Sequence, residues 1–169
     1  MIKLDIGRVP DGHSHYDIEA DASELEACLE DGHLESPVSL SLDVDRRGGD
    51  VFIRGTAGAM AVLGCSRCLN EYSLEIETSL DLWCIVGGEP DGADDGGREN
   101  VVRVSAGAKF VDLADPVRSE LLVLLPLKPL CDEGCKGLCP RCGIDLNVSS
   151  CSCGSDGHDS RWDALNKIK

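Results

Sequence analysis

Apolar residues recur at every second position over long stretches of this chain. Val38, Leu40, Leu42 and Val44 alternate with polar neighbours, as do Leu74, Ile76, Leu80, Leu82 and Cys84, and more briefly Ile2, Leu4 and Ile6, then Tyr16 and Ile18. A period of two puts successive side chains on opposite faces, so each run predicts a strand buried on one side. Two long strands, about 51–63 and 71–86, flank Cys65-Ser-Arg-Cys68 and read as a hairpin with that sequence at its tip. Elsewhere the period lengthens. Leu25, Cys28 and Leu29 share one face of a short helix capped by Asp21 or Ser23, which makes Cys28 a core side chain. After a strand near 100–104, Leu113, Val117, Leu121 and Leu124/Leu125 follow helical spacing from Asp112 or Asp115-Pro116, until Pro126 ends the helix. Ser160, with Asp163 three residues on, opens a last short helix carrying Trp162, Leu165 and Ile168 on a docking face. The glycine-rich acidic segment 87–97 has no apolar anchor and reads as a mobile loop. The expected fold is α+β: a mainly antiparallel β body over 1–126 with a few helices, and a C-terminal cysteine-rich zinc module over 127–169 docked on it.

The cysteines add chemistry to this scaffold. The chain holds ten in 169 residues. Eight fall in short-spaced sets: Cys65-x2-Cys68, Cys131-x3-Cys135, Cys139-x2-Cys142 and Cys151-x-Cys153. Tetrahedral zinc takes four thiolates, and such spacing lets one tight turn aim two sulfurs at one point. A disulfide scaffold would need an oxidising compartment. The opening Met1-Ile2-Lys3-Leu4-Asp5 lacks a signal-peptide core, and the longest strongly apolar stretch, Leu121 to Leu125, stops at Pro126, so a cytoplasmic protein with reduced thiols and no membrane contact is expected.

Two zinc ions, each in a four-cysteine site, are therefore expected. Cys139-Pro-Arg-Cys142-Gly143 is the strongest local knuckle, with glycine allowing the left-handed backbone that closes it. The preferred grouping joins Cys139, Cys142, Cys151 and Cys153 in one local site and leaves Cys131 and Cys135 to clasp Cys65 and Cys68. The rival joins Cys131, Cys135, Cys139 and Cys142, and gives Cys151 and Cys153 to the hairpin. In either arrangement metal supplies the folding energy that a tail rich in glycine, serine and cysteine cannot draw from apolar burial. Cys84 alternates with apolar residues and reads as core.

Formal net charge is −15, which argues against gripping nucleic acid through the overall field. The charge is uneven, however. Residues 1–35 are strongly acidic, with Lys3 and Arg8 as their bases, whereas acids and bases balance over 126–169. Arg67, Lys128, Lys136 and Arg141 sit beside or between the candidate ligands, where they offset thiolate charge or contact a partner or RNA phosphate.

Cys65-Ser-Arg-Cys68-Leu69, then Leu124-Leu-Pro-Leu-Lys-Pro-Leu-Cys131, then Cys135-Lys-Gly-Leu-Cys-Pro-Arg-Cys-Gly143, with Leu146-Asn147 before Cys151-x-Cys153, resembles the YceD family of bacteria and plastids, the large ribosomal RNA subunit accumulation proteins. The likeness covers most of the chain beyond Val38 and is specific in the second half. Asp159-Ser-Arg-Trp stands where that family often has Asp-Pro-Arg. The resemblance implies a role in making or preserving large-subunit ribosomal RNA, and it implies as partner a basic ribosomal protein, which an acidic surface would also suit. The alternatives are direct binding of a ribosomal RNA precursor through the zinc tail, or a redox-responsive zinc chaperone. Catalysis is not expected: four thiolates leave zinc no open position, and His13, His15, His33 and His158 show no spacing that couples them to a nucleophile. Neither a catalytic residue nor a small-molecule substrate is assigned.

Overall fold

A computed structural model describes residues 2–25, 32–87 and 100–153. In chain order these form β1 (Lys3–Asp5), β2 (Gly12–Ala20), a 3-10 turn (Ala22–Leu25), β3 (Gly32–Arg47), β4 (Asp50–Gly64), β5 (Glu71–Val86), β6 (Val101–Val104), β7 (Phe110–Asp112) and α1 (Ala114–Val123). β2 to β6 make one sheet in sequence order, while β1 pairs with β7 in a separate two-stranded ribbon. The fold is thus mostly β with a single helix among the described residues, and α+β in the broad sense.

Alternation determines which face of the sheet is buried. In register, Ile18, Leu40 and Ala57 fall in one row, and Val44, Ile53 and Leu82 in another, all on the inner face. That face, α1 through Val117 and Leu121, and the ribbon through Leu4 and Val111 enclose one core. Cys84 belongs to it and is fully buried, and burial alone pushes its thiol up to about 12. The outer face carries Asp17, Glu19, Ser39, Ser41, Thr56, Glu75 and Glu77. Arg46 fastens the 6–9 turn to the sheet by donating to the carbonyls of Ile6 and Val9, at 2.9 and 3.0 Å.

Several expectations are revised. The Ile2–Ile6 strand leaves the main sheet to pair with β7, which the alternation did not reveal. β6 runs parallel to β5, so the sheet is antiparallel only as far as β5. β3 starts at Gly32, earlier than Val38, because the irregularity between Glu35 and Ser39, around Pro37, lets the ladder resume on its far side. The helix expected from Asp21 is a 3-10 turn as far as Leu25, with Asp21 Oδ1 accepting from the Ser23 N–H; Cys28 and Leu29 lie outside the described residues. So do the expected loop beyond Gly87, His158 and the helix of Trp162, Leu165 and Ile168. α1 ends at Val123, and Leu124 and Leu125 tighten into i→i−3 bonds before Pro126, which has no N–H to continue them. Among the described residues no helix is long and apolar enough to cross a membrane.

Candidate metal centres

The β4–β5 hairpin delivers the first pair of sulfurs. Gly64 pairs with Glu71, and the intervening turn closes by Cys65 N–H to the Asn70 carbonyl and Leu69 N–H to the Cys65 carbonyl, each 2.9 Å. Leu69 takes a left-handed backbone with φ 62°, the position glycine holds as Gly143 (φ 73°) in the other knuckle. Cys65 and Cys68 are both buried.

After α1 the chain runs back along this turn. The Ser66 N–H donates to the Pro129 carbonyl at 2.8 Å, which seats Cys131 beside Cys68 with 3.6 Å between sulfurs. Cys135 lies 3.8 Å from Cys65. Tyr72, Leu130 and Leu138 pack around the set. Arg67 braces it by donating from one guanidinium nitrogen to the carbonyls of Glu133 and Cys135, at 3.2 and 2.7 Å, while its backbone N–H faces Cys65 Sγ at 3.5 Å. The second set is local. Gly143 N–H returns to the Cys139 carbonyl, Cys139 N–H reaches the Ile144 carbonyl, and Cys151 Sγ comes within 3.4 Å of Cys139 Sγ.

The sulfurs therefore converge as Cys65, Cys68, Cys131, Cys135 and as Cys139, Cys142, Cys151, Cys153, each set within 4.8 Å. The rival grouping is not the one formed. Zinc–sulfur bonds of about 2.3 Å place tetrahedral ligands about 3.8 Å apart, whereas a disulfide needs about 2.05 Å. The observed separations of 3.4 to 3.8 Å match the former, and all nine described cysteines are free thiols. Both quartets are thus close enough to hold a metal ion.

Their electrostatics agree with that fit. Backbone N–H groups of Cys131 and Cys68 lower the Cys65 thiol to about 6, and those of Cys142 and Arg141 do the same for Cys139. Hydrogen bonds from neighbouring sulfurs instead raise Cys131, through Cys68 first, and Cys153, through Cys142 first, each to about 12. Cys68 and Cys151 are raised as well. A cation at the centre would relieve this crowding of sulfurs.

All four candidate basic contacts are exposed, and Arg67 also braces the clasp through the Cys135 carbonyl, while Lys128, Lys136 and Arg141 lie on the tail. His13 and His15 share the outer face of β2 near Asp43, at 3.6 and 2.9 Å, remote in sequence and strand position from the cysteine sets. Sequence reading overlooked Asn70, Asp145 and Asn147, which form a hydrogen-bonded chain between hairpin and tail. Short polar residues in a cysteine-rich loop carry no period, so nothing in the spacing sets Asn147 apart from its neighbours.

The family profile described as "Large ribosomal RNA subunit accumulation protein YceD" matches residues 53–169. This chain belongs to the YceD family. Relatives include a protein named "Large ribosomal RNA subunit accumulation protein YCED homolog 1, chloroplastic" in Arabidopsis thaliana, 24% identical over 79% of this chain, and its Zea mays counterpart, 31% identical over 70%. An uncharacterized protein of Mycobacterium tuberculosis is 30% identical over 76% of this chain. The chain spans 49% of each of the plant relatives and 60% of the mycobacterial one. No solved structure matches it. The profile begins inside β4 and so takes in all eight converging cysteines.

Proposed function

We propose that this YceD protein is a non-catalytic factor in large-subunit ribosomal RNA accumulation, held in shape by two structural zinc ions and acting by binding a basic ribosomal protein. The family supports the process. The sulfur separations support zinc, and a metal closed by four thiolates keeps no position for a reacting water, which favours a structural role. A reducing compartment such as the cytoplasm belongs to this reading, because zinc thiolates require reduced cysteines.

One observation carries the choice of partner. The outer sheet face forms an open trough of about 810 Å³. Across it, Glu19, Ser39, Gly58 and Glu77 stand in one row, with Asp17 and Glu75 alongside. Strands about 4.8 Å apart put the two walls about 14 Å from each other, room for a helix or an extended basic segment over a floor of small residues. Among the described residues no cation pairs with Glu19, Glu75 or Glu77. Lysines and arginines of a ribosomal protein, which otherwise face phosphates, suit such walls.

Capture of partners from lysate at low and high salt tests this reading. The triple change Glu19→Gln, Glu75→Gln, Glu77→Gln is expected to lose a basic ribosomal protein while retaining both metals. Recovery of free RNA, unaffected by the triple change but lost in Lys128→Glu with Lys136→Glu, would instead establish the tail as an RNA contact.

A further inference from the structure

One side chain from the loop of the tail quartet reaches a sulfur of the clasp. Asn147 lies in the loop 143–150, whose ends are Cys142 and Cys151, both members of the tail set. Its Nδ2 donates across the tail to Cys135 Sγ of the clasp at 3.4 Å and to Asp145 Oδ1 at 2.8 Å, so its two amide hydrogens have separate acceptors. Its Oδ1 accepts the Lys136 N–H, next to Cys135, at 2.7 Å. Asp145 in turn accepts from Asn70 on the hairpin at 3.1 Å. The loop is exposed over 147–150, with apolar Val148 facing solvent, so burial does little to hold it in place. Its first half is held by the Leu146 N–H on the Gly137 carbonyl at 2.9 Å and by the pairing of Asp145 with Leu138, and its far end runs to Cys151.

We propose that Asn147 couples the two metal centres: metal at the tail quartet fixes the far end of the loop 143–150 through Cys151, and the loop so fixed presents Asn147 Nδ2–H to the Cys135 thiolate, so that the tail site tightens the clasp. The proposal rests on both quartets binding metal. An N–H donated to a metal-bound thiolate disperses its charge and fixes its lone pairs, and loss of such a partner weakens metal binding about 10- to 100-fold. Asn147 touches no metal itself and is a positioning residue. Coupling is also reciprocal, so an occupied clasp strengthens the tail site by the same factor.

The test uses the full chain loaded with cadmium-113, whose resonances count and separate the centres, with zinc affinities measured against a chromophoric chelator. Cys65→Ser removes the clasp signal and Cys151→Ser the tail signal, which assigns them. Wild type is expected to bind two ions; fewer would overturn the two-centre reading itself, and the coupling with it. Asn147→Ala is expected to weaken the clasp about 10- to 100-fold and shift its resonance. Cys151→Ser should weaken the clasp equally, and the double variant no further, because both act through one path. In the Cys65→Ser background, Asn147→Ala should leave tail affinity unchanged. A clasp unaffected by either change, additive losses, or a tail weakened by Asn147→Ala without a clasp would each overturn the proposal, the last by showing that Asn147 merely supports the tail fold.

Discussion

Gly137 and Gly143 share one backbone conformation and differ in what faces them, which makes them a matched pair for measuring the clasp. Both have φ 73°. A Cβ on Gly143 would meet nothing within 4 Å, whereas on Gly137 it would stand 2.8 Å from the Arg67 carbonyl oxygen and 3.1 Å from Arg67 Cβ. The carbonyl oxygen belongs to backbone, and it accepts the Leu138 N–H at 3.0 Å. Alanine in the left-handed region costs about 1–2 kcal/mol, less about 0.4–1 kcal/mol recovered from a stiffer unfolded chain. Gly143→Ala should therefore cost about 0.8 kcal/mol, a roughly fourfold loss of zinc affinity at the tail site. Gly137→Ala adds the displaced hydrogen bond, worth about 1 kcal/mol, for a total of about 1.8 kcal/mol and a roughly twentyfold loss at the clasp. Chelator competition at pH 7.5 reads both. Equal losses in the two variants would refute the reasoning, because they would show that the hairpin does not press on Gly137.

Other consequences are open to measurement. Cys84 should be the last of the nine described cysteines to alkylate in zinc-stripped protein, at the rate of global unfolding, as peptide mapping would show; rapid native labelling would contradict its burial. A hydrogen bond donated by the His15 ring to Asp43 raises the His15 pKa above 6.5, so its contribution is complete below pH 6.5 and is lost as pH rises through the elevated folded value. The stability gap between wild type and Asp43→Asn, followed by urea midpoints, should shrink over that rise, and a widening gap would reverse the assignment. Arg46→Met should lower stability by about 2 kcal/mol by releasing the Ile6 and Val9 carbonyls, whereas no change in the denaturation midpoint would mean the 6–9 turn holds itself.

Strands were legible wherever one face meets the core. Val38 to Val44 and Leu74 to Cys84 alternate because the sheet is covered on one side, and their outward positions, Ser39, Ser41, Glu75 and Glu77 among them, are mostly polar for the same reason. The partner of a strand is less legible. Leu4 pairs with Val111 across most of the chain, and a three-residue strand at Phe110–Asp112 gives too short a period to notice. The convergence of sulfurs was readable from spacing, since Cys135 and Cys139 are too close in sequence for their two knuckles to turn easily to one ion. What spacing cannot carry is the work of the residues between ligands. Arg67 reads as a surface base, yet its guanidinium caps two carbonyls of the tail, and Asn147 reads as loop filler although it reaches the other quartet. Both roles depend on where the tail lies against the hairpin, which only tertiary structure supplies.

The clasp also changes the topology of the chain. Cys68 and Cys131 stand 63 positions apart, so a metal shared between them closes a ring that contains β5, β6, β7 and α1. By the loop-closure estimate used for covalent cross-links, a ring of that size removes about 4 kcal/mol of unfolded-chain entropy. Such an ion would act on elements far from it, including the parallel β5–β6 pairing and the seat of α1. A single proteolytic nick between Cys68 and Cys131 would leave two fragments tethered through metal, and a chelator would release the tether.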